Sequence, residues 1–540
     1  MSTTNGTSQH DVLVIGAGAG GAAVSARLAE HGLSVLCLEQ GDWVDRDSLP
    51  KNFVDWEVRG RRYWNPNPNR RRWPADYPIT NLGEHPIDTY LYNAVGGSTI
   101  GFGGIYWRLQ PSDFRTQSLD GFGVDWPIRY EDLEPYYRQN ELIIGMSGLA
   151  GDPTGPEREE LPSPPVAMGK LGRIWAQAFH KLGWYWWIQD CAITTKAYGE
   201  HRTGCLDRGF CAFGCPSLAL ATVDVTYWPL ALQRGVELRT QARVREITVD
   251  RQGLATGARY YDAEGKLQEA KAPIVVVSGG GLGTPRLLLM SASTAFPDGL
   301  ANSSGLVGKN LMTHVQALVT GRFEEITDSD HGAWGGSVCS RQFYETSASN
   351  DYRRGFSLGG HRGWSTLNTA LQVAPWGPDH HTTMEKHLNH EGAVYVLGDD
   401  EPEESNRVEL DWDNVDSFGL PGLRTHYTLS ENSLKIGNEG IRRARELLEA
   451  AGAIDTRDSG LSPIFGWHLM GTARMGHDPS SSVVDADHRA HDVPNLFIVD
   501  GSVMPTGASV NPTNTIQAMS LRAADRIVEL RHDLPVPAVP

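Results

Sequence analysis

The stretch DVLVIGAGAGGAAVSARLAEHGLSVLCLEQG, residues 11–41, limits the possible folds of this chain more than any other. Residues 11–15 are a short apolar run and read as a buried parallel strand. Gly16, Gly18 and Gly21 follow in G-x-G-x-x-G spacing, Ala-rich residues 22–30 read as a helix, and LSVLCLE reads as the next strand. The chemistry explains the glycines. The first makes a tight turn, the second lets backbone approach a pyrophosphate, and the third lets the helix pack close to the strand. The helix N-terminus offers free N–H groups and partial positive charge to phosphates. Glu39, 23 residues after Gly16, ends the second strand and can accept from ribose hydroxyls. An acid there favours an unphosphorylated ribose, so FAD or NAD over NADP. An ordinary Gly-rich turn would not bring strand, helix, strand and acid into register.

Such a unit fills only part of 540 residues. At roughly 100–200 residues per domain, the chain holds on the order of two to four domains. Lys and Arg number 48 against 65 Asp and Glu, a formal charge of −17. That argues against nucleic-acid or anionic-membrane binding, because phosphate contacts need Lys and Arg. No apolar run reaches the ~18 residues of a membrane span. The first residues, MSTTNGTSQHD, lack the basic and apolar parts of a secretory signal. The expectation is a cytoplasmic protein, with export alongside a signal-bearing partner as the other route. Six cysteines in 540 residues are not a disulfide scaffold. The sequence carries no mark of oligomeric state.

Other stretches organise the rest. Residues 59–74 are basic, aromatic and Pro-rich and read as a surface excursion rather than a substrate lid. AVGGSTIGFGGIYWRLQPSDF, residues 94–114, is too Gly-rich for a helix or central strand, and suggests backbone lying against a ligand. Residues 236–250 alternate like a strand pair. APIVVVSGGGLGTPRLLLMSA, residues 272–292, reads as a buried strand, a Gly turn and a helix opened by Pro285. Residues 495–530 read as a strand ending at Asp500, a loop, and a helix starting near Pro512. Elements of one nucleotide fold thus recur at both ends and in the middle. The stretches about 120–200 and 326–464 are rich in Trp, His and Pro and read as an insertion. The expected division is 1–119, 201–325 and 465–540 for a cofactor domain, and 120–200 and 326–464 for a substrate domain.

With these landmarks, GLVGKNLMTH, and HLMGTARMG through the C-terminal helix, the chain resembles the glucose–methanol–choline (GMC) oxidoreductases over nearly its whole length. The resemblance implies an α/β fold, with a Rossmann-like FAD-binding domain and an inserted α+β substrate-binding domain. It implies FAD, held by Gly16, Gly18, Gly21, Glu39, Gly96, Gly97, Ser98, Gly103, Val244, Gly279, Asp500, Gly501, Asn511, Pro512 and Thr513. Residues 94–107 contain no His, so the expectation is dissociable rather than histidyl-linked FAD. It implies a pair at the flavin face, with His468 of H-x-x-G-T as base and Asn511 of SVNPT as its partner. A neutral imidazole can take the hydroxyl proton as hydride leaves the carbinol carbon, and Asn511 can fix the direction of the same oxygen. His477, His488 and His491 lack the motif position and read as surface or structural.

The expected reaction is oxidation of a sugar or glycoside hydroxyl, to a ketone at a ring carbon or a lactone at the anomeric one, with oxygen as acceptor and peroxide as product. Alternatives are a dehydrogenase using a quinone or cytochrome, a long-chain or aromatic alcohol oxidase, and a flavin-binding protein without turnover. No C-x-x-C-H haem motif is present. Cys205, Cys211 and Cys215 stand in C-x5-C-x3-C. That spacing resembles FAD glucose dehydrogenase catalytic subunits, in which three thiolates hold a [3Fe–4S] cluster. A Cys- and Gly-rich turn without a cluster, or plain buried thiols, are the rival readings, and Cys191 is a candidate fourth ligand. No other metal ligands are assigned, and the spacings do not fit zinc.

Overall fold

The computed structural model describes residues 10–46, 77–209, 211–329, 331–333, 336–364, 366–462 and 464–537; the excursion at 59–74 lies outside them. The first apolar run forms β1 (Val12–Ile15), followed by α1 (Ala19–Glu30) and β2 (Val35–Leu38). Three strands from far along the chain join them: β3 (Glu237–Arg239), β4 (Ile274–Val277) and β5 (Leu496–Ile498). Among the described residues these make a five-stranded parallel sheet of order β5-β4-β1-β2-β3. Every residue of β1, β2, β4 and β5 is buried, which is why they read as unbroken apolar runs. Successive side chains alternate between faces. Leu13, Ile15, Val275 and Val277 enter one core, while Val12, Val14 and Val276 enter another that includes Leu28 of α1 and Leu521 of the C-terminal helix α3 (Thr513–Leu530). A Cβ on Gly21 would fall 1.9 Å from the Gly16 carbonyl oxygen, so only glycine allows α1 this close to the preceding turn.

Two local expectations need correction. Residues 236–250 do form two strands, but they do not pair with each other. β3 joins β2, whereas Arg243–Val249 pairs with Ala255–Tyr261 in a separate antiparallel sheet. Pro285 does not open its helix, α2 (Gly280–Met290), but sits inside it. A proline there leaves the carbonyl four residues back without its N–H donor. That carbonyl, on Gly281, instead accepts from the Thr472 hydroxyl at 2.8 Å. Thr472 is the threonine of H-x-x-G-T, so the substitute bond ties the His468 segment to α2.

A six-stranded sheet lies over the mouth of the parallel one. In spatial order it comprises Asp455–Asp458, Val315–Arg322, Glu391–Gly398, Phe356–Arg362, Val338–Phe343 and Trp187–Ile188, antiparallel throughout. Helices Gly169–Leu182 and Glu431–Ala451 cover one face, where Ala317, Val319, Val394 and Val396 meet Trp175, Leu447 and Leu448. Alternation sends Gln316, Leu318, Ala393 and Tyr395 to the opposite face, toward a cavity. A buried guanidinium links the layers. Arg354, fully inaccessible, contacts Asp113, and bonds Asp399 at 3.1 Å, Glu345 at 3.3 Å and Asp120 at 3.4 Å. Burial pushes the Asp399 carboxyl up to about 7 despite that cation.

Candidate active site

Between the ends of β1, β2, β4 and β5 and the open face of the six-stranded sheet lies a cavity of about 1140 Å³. It exceeds the roughly 300–1,000 Å³ of a typical small-molecule site. At its nucleotide end stand Gly16, Gly18, Glu39, Gly97, Ser98 and Gly103, with Val244 and Gly279 on the adjoining wall. The backbones here touch: a Cβ on Gly97 would meet the Gly18 Cα at 2.8 Å. A strip free of side chains suits a phosphate linker. The Glu39 carboxylate is oriented by the Ala17 N–H at 2.9 Å and the Gly41 N–H at 2.8 Å. Gly21 and Gly96 do not line the cavity. They shape the turns behind it.

The wall beyond is held by Asp500. Its carboxylate accepts from the Gly280 N–H at 3.0 Å, the Thr284 hydroxyl at 2.5 Å and the Ser502 N–H at 2.8 Å. One side chain thus joins the end of β5 to the start of α2. Gly501, Pro512 and Thr513 line the same wall. Pro512 caps α3, whose first turn holds no acid. That turn is pinned from behind by Asn140 on Asn514 at 2.8 Å and Tyr137 on Thr515 at 2.8 Å. The positive end of α3 therefore faces the cavity.

His468 and Asn511, 43 residues apart, meet there: Asn511 Nδ2 lies 3.1 Å from His468 Nε2. Asn511 Oδ1 is buried without a hydrogen-bond partner among the described residues. Burial holds His468 well below the usual imidazole range, and the neighbouring His314 adds to the effect. His314, which the sequence reading did not single out, places its Nδ1 2.9 Å from His468 Nδ1 and its Nε2 3.1 Å from the Gly507 carbonyl. Its only sequence signal was its place at the end of the landmark GLVGKNLMTH. Around the pair, Tyr90 stacks on Trp467 with centroids 4.8 Å apart, the Tyr395 phenol hydrogen-bonds the Asn511 side chain, and Leu318 and Phe465 supply apolar wall. His488 is buried against the Ile498 carbonyl and His491 bonds Ser482, both in structural positions.

The cysteines sit beside the Gly97–Gly101 turn. The short turn Cys211–Phe213 packs against the turn Gly97–Gly101, and Ala212 reaches the cavity. Cys205, Cys211, Cys215 and Cys191 share one small apolar cluster. Cys205 accepts from the Asp207 N–H at 3.4 Å, and Cys215 lies 3.2 Å from the Ser217 hydroxyl. Burial pushes the Cys205 thiol up to about 12. Among the described residues no group of three or more His, Cys, Asp or Glu is arranged to hold a metal ion. No described helix is long and apolar enough to cross a membrane.

Two family models described as GMC oxidoreductase match residues 13–316 and 402–520. The chain is 45% identical to 2-methyl-1,2-propanediol dehydrogenase of Mycolicibacterium austroafricanum, over 97% of this chain and 96% of that one. It is 28% identical to the fructose dehydrogenase large subunit of Gluconobacter japonicus, over 97% and 99%. Among solved structures, pyridoxine 4-oxidase from Mesorbium loti aligns with a TM-score of 0.65 at 18% identity, covering 96% of this chain and 99% of that one.

Proposed function

Because the chain belongs to the GMC oxidoreductases, FAD enzymes that oxidise alcohol or sugar hydroxyls, we propose that it dehydrogenates one carbinol of a compact vicinal diol. His468 takes the hydroxyl proton and Asn511 orients the substrate. The observation that carries this reading is the pairing of His468 Nε2 with Asn511 beside an acceptor, Asn511 Oδ1, that is buried and unpartnered.

The nucleotide end fits FAD: a side-chain-free strip at Gly18 and Gly97, an oriented acid at Glu39, and the α3 N-terminus at Pro512 and Thr513. Gly16, Gly18, Glu39, Gly97, Ser98, Gly103, Val244, Gly279, Asp500, Gly501, Asn511, Pro512 and Thr513 would contact it, with Gly21 and Gly96 shaping its cradle. FAD, when bound, supplies the acceptor for the hydride of the carbinol carbon. Absence of His from 94–107 supports dissociable FAD, tested by its release into the supernatant on acid precipitation.

The remaining chemistry belongs to side chains. Burial keeps the His468 imidazole neutral, so it can accept a proton. An Asn511 N–H donates to the reacting oxygen, and its Oδ1 accepts from the adjacent hydroxyl. A buried acceptor with no partner costs about 1–3 kcal/mol, which a second hydroxyl relieves and a simple alcohol does not. The apolar wall of Leu318, Phe465 and Trp467 keeps water from competing.

A second reading, oxidation of a sugar or glycoside, draws support from the Tyr90–Trp467 stack at the cavity, a platform for a pyranose face. The dehydrogenase names of two relatives favour a quinone or cytochrome over oxygen as acceptor. A [3Fe–4S] cluster at Cys205, Cys211 and Cys215 rests on their spacing alone; iron and acid-labile sulfide analysis tests it. Anaerobic bleaching of the flavin by a panel decides the substrate: 2-methyl-1,2-propanediol, 1,2-propanediol, 1-propanol, 1-octanol, fructose, glucose and methyl glucoside. Vicinal diols should bleach fastest. Equal rates with 1-propanol would remove the second hydroxyl from the argument, and peroxide formed in step with product would restore the oxidase reading.

A further inference from the structure

His468 can act as a base only if its Nε2 is the bare nitrogen, and the structure contains a device that selects that tautomer. The Gly507 carbonyl, 3.1 Å from His314 Nε2, can only accept, so His314 Nε2 carries a hydrogen. Burial holds His314 down at about 4; the ring is neutral and its Nδ1 is bare. His468 Nδ1, 2.9 Å away, must then provide the hydrogen between the two rings. The other tautomer would set two bare nitrogens against each other at that distance. Neutral His468 has one N–H, and with it on Nδ1 its Nε2 lone pair faces the Asn511 N–H and the cavity.

We propose that His314 is a positioning residue, which, anchored on the Gly507 carbonyl, locks His468 in the Nδ1–H tautomer and leaves Nε2 unprotonated, facing Asn511 and the cavity. The backbone supports this role. Met312 and Met470 exchange hydrogen bonds of 3.0 and 2.9 Å, clamping the two histidine segments together. Thr313 is fixed by its N–H to Asp400 at 3.1 Å. Gly507 and Asn511 share one loop before α3, so the bonds from Gly507 through His314 and His468 to Asn511 close a ring on that loop. This inference rests on the reading of His468 as base, and the test separates the two.

The experiment uses FAD-loaded enzyme labelled with [15N]histidine. Solid-state 15N shifts report which His468 nitrogen is bare, with His468→Gln identifying the resonances, and stopped-flow anaerobic reduction by 2-methyl-1,2-propanediol reports function. His314→Asn keeps an acceptor near the Nδ1 position; His314→Gln keeps the donor to Gly507 but removes that acceptor. The expected result is a bare Nε2 in the wild type and in His314→Asn. In His314→Gln the Nε2–H form should appear, with reduction slowed roughly 10- to 100-fold and half-saturation little changed. An unaltered His468 tautomer in His314→Gln overturns the proposal. So does an Nε2–H His468 in the wild type, a result that needs no variant to fold. A changed tautomer with unchanged reduction upholds the lock and removes His468 as the base.

Discussion

Gly97→Ala tests the cofactor cradle by a contact whose cost follows from the geometry of two touching loops. Gly97 has φ +51°, in the left-handed region, where a side chain costs roughly 1–2 kcal/mol. Its new methyl would lie 2.8 Å from the Gly18 Cα, against the ~3.5–4.0 Å of a relaxed carbon–carbon contact. The two loops must part by roughly 0.7 Å or strain in place, and overpacking of this kind costs about 1–3 kcal/mol. The sum is roughly 2–5 kcal/mol. Because both loops line the nucleotide end of the cavity, relief by parting opens the cradle. The left-handed penalty falls equally on free and FAD-bound protein, so only the roughly 1–3 kcal/mol of overpacking weighs on binding, and at 1.4 kcal/mol per decade FAD affinity should fall about 5- to 100-fold. Titration of deflavinated protein with FAD, followed by flavin fluorescence quenching, measures it. Gly32→Ala is the control: φ is +81° but nothing lies within 4 Å, so it should lose about 1 kcal/mol of stability and no FAD affinity. If Gly97→Ala binds FAD like the wild type and melts at the same temperature, the contact is no part of the cradle.

His468→Ala should retain FAD and slow its anaerobic reduction by about 10²–10⁴, while Asn511→Ala slows it less; reduction of His468→Ala within a few-fold of wild type places the proton acceptor elsewhere. Because burial holds His468 well below its usual range, it stays neutral as pH falls through the ordinary imidazole value of ~6.5. The pH profile of flavin reduction should therefore stay flat there and fall only at lower pH; a midpoint near 6.5 would show a solvated base. Arg354→Met leaves the buried Asp113 and Asp399 without their cation, which should cost about 3–5 kcal/mol. Urea unfolding measures this, and unchanged stability would mean that those carboxylates are already protonated.

What could be read from the sequence was what local chemistry dictates. The buried strands announce themselves because both faces of the parallel sheet are covered, and the glycines because a phosphate-facing turn admits nothing larger. His468 and Asn511 were found through motifs, and the fold brings them to 3.1 Å. What escaped depends on distant partners. His314 acquires its role only by meeting a ring 154 residues away, and Pro285 is tolerated inside α2 only because Thr472 supplies the missing bond. The strand Glu237–Arg239 could not be assigned to β2 from its own alternation, since pairing is decided by which edge is vacant when the sheet closes.

The parallel sheet takes its first two strands from the opening forty residues and its last from Leu496–Ile498. A chain leaving the ribosome therefore exposes β4's outer edge until Leu496–Ile498, more than two hundred residues further along, has been made. Asn511 and Asp500 arrive with that same closing segment. Formation of the reaction chamber is thus a late and highly non-local event, slow by the measure of sequence separation. A chain cut before Leu496 would lack both the sheet's edge and the chamber's polar wall, and should therefore have no partial oxidising activity.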